Sequence, residues 1–298
     1  MCDASAVVPL SRSSVLVADD EDNTLRAYDV DRAGAPSSLL DLSQPLGLPV
    51  KVHKDGRASS REMDIEASAR LGSTAYFLTS HGRDSRGRLR EERLKFFAVD
   101  VADPQQLRVT GSVYGRLLDD LLHEPRLASY GLAEASLLPP KAPGGLNLEG
   151  MTARVEGGVW LGFRNPVPAG RALLVPLLNP EALVQGQPAK VGDPLSLDLG
   201  GRGVRGLATW RGSYLIVAGA IDSVSSAALF RWDGKDKLEQ LPVPELAHYS
   251  PEALFSPDDR DDVLLLSDDG SRVVDGKACK DSHQASKRFR GLWVKPSW

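Results

Sequence analysis

Leu148-Glu149-Gly150-Met151 decides how this chain folds, because its form comes back four more times. Asp3-Ala4-Ser5, Glu66-Ala67-Ser68, Arg205-Gly206-Leu207 and Glu252-Ala253-Leu254 repeat it: a charged residue, then Ala or Gly, then a small or apolar residue. Each copy leads into a strongly apolar run. These runs are Val15-Leu16-Val17, Ala75-Tyr76-Phe77-Leu78, Val159-Trp160-Leu161, Tyr214-Leu215-Ile216-Val217 and Val263-Leu264-Leu265-Leu266. A unit of short strands recurring at about 45 to 60 residues is the pattern of a propeller or an array. The runs are continuously apolar rather than alternating, so both faces of each strand are expected to be buried. A propeller blade, sandwiched between two neighbours, meets that condition.

Working outward, unit one supplies strands at 2–10, 14–18, 24–30 and 38–42, followed by a polar stretch, 44–62, expected to be a long loop. Unit two starts at Met63-Asp64-Ile65-Glu66, continues at 94–101 and 107–114, and carries Leu117, Leu118, Leu121 and Leu122 at helical spacing. Residues 116–130 are therefore expected to form an inserted amphipathic helix on the rim. Unit three has strands at 146–155, 158–163, 171–178 and 190–199, with a short helix opening at Asn179-Pro180-Glu181, where Pro takes the first helical position. Unit four has strands at 203–211, 213–219, 227–233 and 237–242. Unit five shows three, at 250–256, 262–267 and 288–294, and its outer strand is expected from residues before Met1. The expected fold is all-β: a five-bladed β-propeller over residues 1–298 as a single domain. Six blades are the alternative, because Arg290-Gly291-Leu292 is a weak sixth copy.

The bulk composition agrees. Aromatics are sparse at 6%, while 28 Gly and 20 Pro supply the turns that many short strands need. A net charge of −4 with basic and acidic residues mixed along the chain argues against a nucleic-acid face. No stretch is apolar enough to span a membrane as a helix. Cys2 and Cys279 form neither a zinc motif nor a disulfide framework, although in an oxidising compartment they could bridge the chain ends. No signal peptide is expected from the N-terminal residues. The chain reads as cytoplasmic, or as exported with its leader removed, and as a monomer.

In a blade the first strand lies by the central channel and the second runs back along it, so the end of the second sits beside the start of the first. Spacings of 15 or 16 residues separate Asp3 from Asp19, Glu66 from His81, Glu149 from Arg164 and Glu252 from Asp268. Five anchors and five turns are therefore expected to converge on one channel mouth. The ring is Asp3, Glu66, Glu149, Arg205 and Glu252, overlain by Asp19, Asp20, Asp22, His81, Arg164, Asn165, Asp268 and Asp269, with Lys51, His53, Lys141 and Arg202 brought in by inter-blade loops. Crowded carboxylates raise one another's pKa unless a cation relieves them. The cation is either a hard divalent metal, Ca²⁺ or Mg²⁺, held by Asp3, Asp19, Asp20, Glu252 and Asp268, or the arginines already in the ring, in a plain water-filled channel. Asp19-Asp20-Glu21-Asp22-Asn23 begins like a calcium loop but lacks its Gly and distal Glu, and reads rather as an acidic turn. No Gly-x-Ser-x-Gly elbow or phosphate-cradling Gly loop is present.

Several segments carry a family likeness: Cys2-Asp3-Ala4-Ser5, Ala18-Asp19-Asp20-Glu21-Asp22-Asn23, Lys141-Ala142-Pro143-Gly144-Gly145-Leu146-Asn147-Leu148-Glu149-Gly150, Gly162-Phe163-Arg164-Asn165-Pro166 and Leu266-Ser267-Asp268-Asp269-Gly270. Together they resemble an uncharacterised bacterial propeller family known as a domain of unknown function. The Leu-Glu-Gly anchors are also similar to those of the esterase-like phytase family. Neither resemblance brings a catalytic residue set. Two functions are expected to compete. The first is a metal-assisted hydrolase of a small anionic ester, plausibly a phosphoester, with His81, Glu66 and Glu149 as catalytic groups and Arg164, Arg205, Lys141 and Asn165 binding the substrate. The second is a non-catalytic propeller binding a small ligand or a partner protein on the same face.

Overall fold

A computed structural model describes residues 1–53, 56, 58–221, 227–257, 260–283 and 286–296. Blade one is β1 (Ala6–Pro9), β2 (Ser14–Ala18), β3 (Thr24–Asp29) and β4 (Ser38–Asp41), paired in that order. A small hairpin follows, β5 (Val50–Val52) and β6 (Ala58–Ser60). The stretch expected to be one long loop thus folds on itself, with short strands too polar to show an apolar run.

Blade two is β7 (Ile65–Leu71), β8 (Thr74–Thr79), β9 (Phe96–Asp100) and β10 (Arg108–Tyr114). Blade three is β11 (Asn147–Ala153), β12 (Val159–Asn165), β13 (Ala172–Leu177) and β14 (Leu195–Leu197). Blade four is β15 (Gly203–Trp210), β16 (Ser213–Gly219), β17 (Ala228–Trp232) and β18 (Leu238–Leu241). Blade five pairs β19 (Pro251–Phe255) and β20 (Val263–Ser267) with β23 (Gly291–Val294), after the hairpin β21 (Val273–Val274) and β22 (Lys277–Ala278). All blade pairings are antiparallel, and the five sheets form a five-bladed β-propeller. The weak sixth copy at Arg290-Gly291-Leu292 enters the outer strand of blade five and opens no new unit.

The expected rim helix is broken. Helix α1 (Leu117–His123) stops before Pro125, a 3-10 turn covers Pro125–Tyr130, and Gly131, with φ of 68°, leads into α2 (Leu132–Ala135). Proline removes a backbone donor and glycine takes the left-handed conformation cheaply, so the apolar spacing continues while the helix does not. Leu117, Leu118, Leu121, Leu127 and Leu132 nonetheless pack together between blades two and three. The short helix expected near Pro180 is α3 (Pro180–Leu183).

The apolar core is divided into one layer per blade junction. Leu16, Ala18, Phe77 and Phe97 fill the space between blades one and two, Trp160, Val204 and Trp232 that between three and four, and Leu215, Val217 and Leu265 that between four and five. Successive residues of a strand point to opposite faces. Val15 and Val17 accordingly pack on blade five while Leu16 and Ala18 pack on blade two. Junctions are tight where glycine permits: a Cβ at Gly150 or Gly162 would lie 2.6 or 2.7 Å from the Val204 side chain. The ring closes between blades one and five through Met1, Val7, Phe255 and Leu266, and through a disulfide between Cys2 and Cys279, whose Cα atoms are 5.9 Å apart.

Candidate functional site

The ring residues sit where they do because of a repeated irregularity in the first strand. In β7, Ile65 pairs with Thr79 and Ala67 with Leu78, which leaves Glu66 as an extra residue. The same register shift falls on Glu149 in β11, Arg205 in β15 and Glu252 in β19. An extra residue on one strand is a β-bulge, which re-aims a side chain out of the ladder. Four blades use it to present a charged group toward the axis.

Blade one departs from the expected alignment. Ala6 pairs with Ala18, and the Ser5 amide donates to the same Ala18 carbonyl at 3.2 Å, so Ser5 holds the bulge position. Its hydroxyl donates to the Ile65 carbonyl at 2.6 Å, tying blade one to blade two. Asp3 therefore belongs one tier higher, level with Asp64, Asn147, Gly203 and Ser250, each two residues before its bulge. Gly203 is required there, since a Cβ would overlap the Arg164 carbonyl. Below the ring, Val7, Met151, Leu207 and Leu254 leave a gap of only about 10 Å³, room for roughly one water. The channel is thus a bowl with an apolar floor. Its cavity is about 1150 Å³ and is lined mostly by polar groups, among them Asp3, Asp20, Asp64, Glu66, Glu149, Arg164, Arg205, Glu252 and Asp268.

One side of the bowl is neutralised. Arg164 Nη1 lies 2.7 Å from Glu149 Oε1, Arg205 Nε lies 3.3 Å from Glu149 Oε2, and Arg205 also pairs with Glu252. The Asn147 amide donates to Glu149 at 2.6 Å, and the Arg164 guanidinium donates to the Ala220 and Ile221 carbonyls. Burial pulls the Arg164 pKa down, but the Glu149 charge outweighs it and holds the group above its usual value.

The other side is acidic. Asp3, Asp19 and Asp20 present carboxylate oxygens all within 4.8 Å of one another, and so do Asp20, Asp64 and Glu66. Among the described residues, Arg93 is the one guanidinium that pairs with these five, at 2.8 Å from Asp64. Burial, then the charges of Glu149, Asp64 and Asp20, pushes Glu66 well above the usual carboxylate range. Burial with Asp64 and Asp19 nearby does the same to Asp20. Asp19 is pushed up to about 6 by burial and Asp22. Asp3 rises to about 10 through burial and its hydrogen bond with Asp268. Asp268 is itself buried, yet that bond and the Gly270 amide hold it below the usual value. The Gly270 amide donates to Asp3 at 2.5 Å and to Asp268 at 3.0 Å.

Three expected site residues lie outside the cavity lining: Asp19, buried beside Asp3 and Asp20, and, further off, His81 and Asn165. His81 is buried outside the cavity lining, and its Nδ1 donates to the Thr79 carbonyl at 2.7 Å. Burial lowers its pKa to about 4, so it stays neutral, and its backbone is left-handed, with φ of 55°. Asn165 is also buried outside the lining and donates to the Pro140 and Ala142 carbonyls at 2.8 Å, holding in place the loop that carries Lys141. Lys141 lines the bowl and is exposed, whereas Lys51, His53 and Arg202 do not line it. Asp64, Asn147 and Arg93 were not singled out in the sequence. Aligning Ser5 rather than Asp3 with Glu66 would have exposed the Asp3/Asp64/Asn147 tier.

The profile of a family described as a protein of unknown function (DUF3616) matches residues 101–254, just over half the chain. The chain belongs to this family. No curated protein matches the sequence. Among solved structures, the likeness is to propeller-type folds of varied activity. The Staphylococcus aureus virginiamycin B lyase matches with TM-score 0.39 and 8% identity, over 91% of this chain and 79% of that one. A Phanerochaete chrysosporium exo-β-1,3-galactanase matches with TM-score 0.48 and 8% identity, over 98% of this chain and 60% of that one. The β-propeller domain of Myceliophteria thermophila Cps50 (Swd1) matches with TM-score 0.40 and 10% identity, over 90% and 93%. These likenesses concern the fold alone. Family members and neighbours bring no residue roles, and similarity to esterase-like phytases is not among what they show. Among the described residues no helix is long and apolar enough to cross a membrane.

Proposed function

We propose that the bowl is a divalent-cation-dependent site for a small anionic ester, with hydrolysis as its reaction. The observation that carries this is the convergence of Asp3, Asp19, Asp20, Asp64 and Glu66 with Arg93 as their one paired guanidinium among the described residues. Oxygen-only donors suit a hard cation, Ca²⁺ or Mg²⁺. Asp3, Asp19 and Asp20 would hold it, and a bound cation polarises the ester and acidifies a water. Exposed Lys141 and Arg86 on the lining would draw the anion in. Arg164 and Arg205, already engaged by Glu149 and Glu252, set the shape of the opposite wall rather than gripping the ligand.

That engagement also favours a second function, a non-catalytic bowl that binds a small ligand or a partner protein. Melting curves with Ca²⁺, Mg²⁺ or EDTA, followed by a panel of chromogenic esters and phosphoesters, separate the two. The hydrolase requires a rise in melting temperature with one cation and turnover that EDTA removes and Asp20→Asn lowers at least a hundredfold. Cation binding without turnover selects the binder. Indifference to all three additions sinks the cation-dependent site.

A further inference from the structure

We infer that the acidic wall holds not one cation but two, with Asp20 bridging them. This rests on the proposed cation site and goes beyond it. The two carboxylate triads share a single member: Asp3, Asp19 and Asp20 form one, and Asp20, Asp64 and Glu66 the other. Oxygens bound to one hard cation at about 2.4 Å lie no more than about 4.8 Å apart. Each triad meets that limit, but the five residues do not form one group that does. A lone ion at either triad therefore leaves the other unserved. A carboxylate offers two oxygens with lone pairs on both, so Asp20 can face both positions.

The second triad carries its own sign of a missing ligand. Glu66 is only 8% exposed, lines the bowl, and among the described residues has no hydrogen bond or ion pair. Asp20 buries Oδ1 without a partner. A buried acceptor left unmatched is costly, and natural interiors avoid it unless something binds there. The other acidic residues of the mouth are spoken for: Glu149 and Glu252 by arginines, and Asp268 by Asp3 and the Gly270 amide. Neither triad can fill a six- to eight-fold oxygen shell alone, so both positions stay open toward the cavity. Two adjacent cations with open positions clamp the attacking and leaving oxygens of an in-line displacement at phosphorus. The substrate class is then a phosphoester rather than a carboxylic ester.

The test uses the full chain, stripped of metal and titrated with Mn²⁺ alone, with calorimetry for stoichiometry and electron paramagnetic resonance for coupling. Two equivalents and an exchange-coupled spectrum are expected. Glu66→Gln and Asp19→Asn should each retain one equivalent with an uncoupled spectrum. Asp20→Asn should weaken both sites at least tenfold, with melting curves confirming that each variant is folded. One equivalent unaffected by Glu66→Gln overturns the second position while leaving the single-cation site intact. No binding overturns both, and two equivalents without coupling overturn the bridge.

Discussion

Both walls of the bowl carry charged bulge residues from first strands, Glu66 on one and Glu149, Arg205 and Glu252 on the other, yet they solve the burial of charge in opposite ways. Across blades three to five, Glu149 and Glu252 meet Arg164 and Arg205 within the protein. Across blades one and two, Glu66, Asp20 and Asp3 face one another. A buried ion pair is strongly destabilised when one partner is removed, because the remaining charge is left in low dielectric. A buried carboxylate without a partner is in that condition already. The first wall is complete as a protein structure, whereas the second, in the function proposed, would be completed by the cation it binds.

The same chemical change should therefore act with opposite sign on the two sides. Glu149→Gln leaves Arg164 and half of Arg205 without an anion and is expected to cost about 3–5 kcal/mol in urea unfolding. A cost below about 1 kcal/mol would mean that the pairing is not what holds this wall. His81 sharpens the contrast, since it is a buried group with no charge to place. Its pKa is lowered from 6.5 to about 4 by burial, so its contribution is complete above 6.5 and is lost as pH falls through 4. His81→Asn, which tolerates the left-handed backbone, should remove up to about 3 kcal/mol of acid-side pH dependence. An unchanged slope between pH 6.5 and 4 would refute the neutral buried imidazole.

The smallest change is expected at Glu66. Its raised pKa means its contribution is complete below the unfolded value and is lost as pH rises above it. In metal-free protein Glu66→Gln should gain about 1–3 kcal/mol at pH 7 and nothing at pH 4. Saturating divalent cation should reverse the sign of that gain. A loss of stability in the metal-free protein at pH 7 would place Glu66 with Glu149, as a residue already satisfied.

Much of the propeller could be read from the chain. The runs at Val15-Leu16-Val17 and Tyr214-Leu215-Ile216-Val217 mark second strands because burial on both faces is a local demand, met by every residue in turn. The hairpin β5–β6 could not be read, since its strands are three residues each and Val50, Lys51 and Val52 are all exposed, so no buried face imposes an apolar pattern. The break in the rim helix was written in Pro125 and Gly131 but hidden by leucine spacing that continues past them. At the site, Glu66, Glu149, Arg205 and Glu252 were legible from their recurrence. Ser5 was not, because it carries no charge, and Asp3 two residues earlier imitates the anchor. His81 and Asn165 have the right spacing and the wrong direction, and direction is set by φ and by which carbonyl lies within reach.

Sequence alone pointed to five blades, to their order and to the four charged groups at the bulges, Glu66, Glu149, Arg205 and Glu252, because each of these follows from patterns a few residues long. Only the tertiary structure decided which of those charges are matched. Glu149 finds Arg205 and Cys2 finds Cys279 across long stretches of intervening chain, while Asp20 and Glu66 are brought together carboxylate to carboxylate. Charge pairing depends on distances of a few ångströms, and those are fixed by how neighbouring blades stack, a quantity that no local pattern of residues contains.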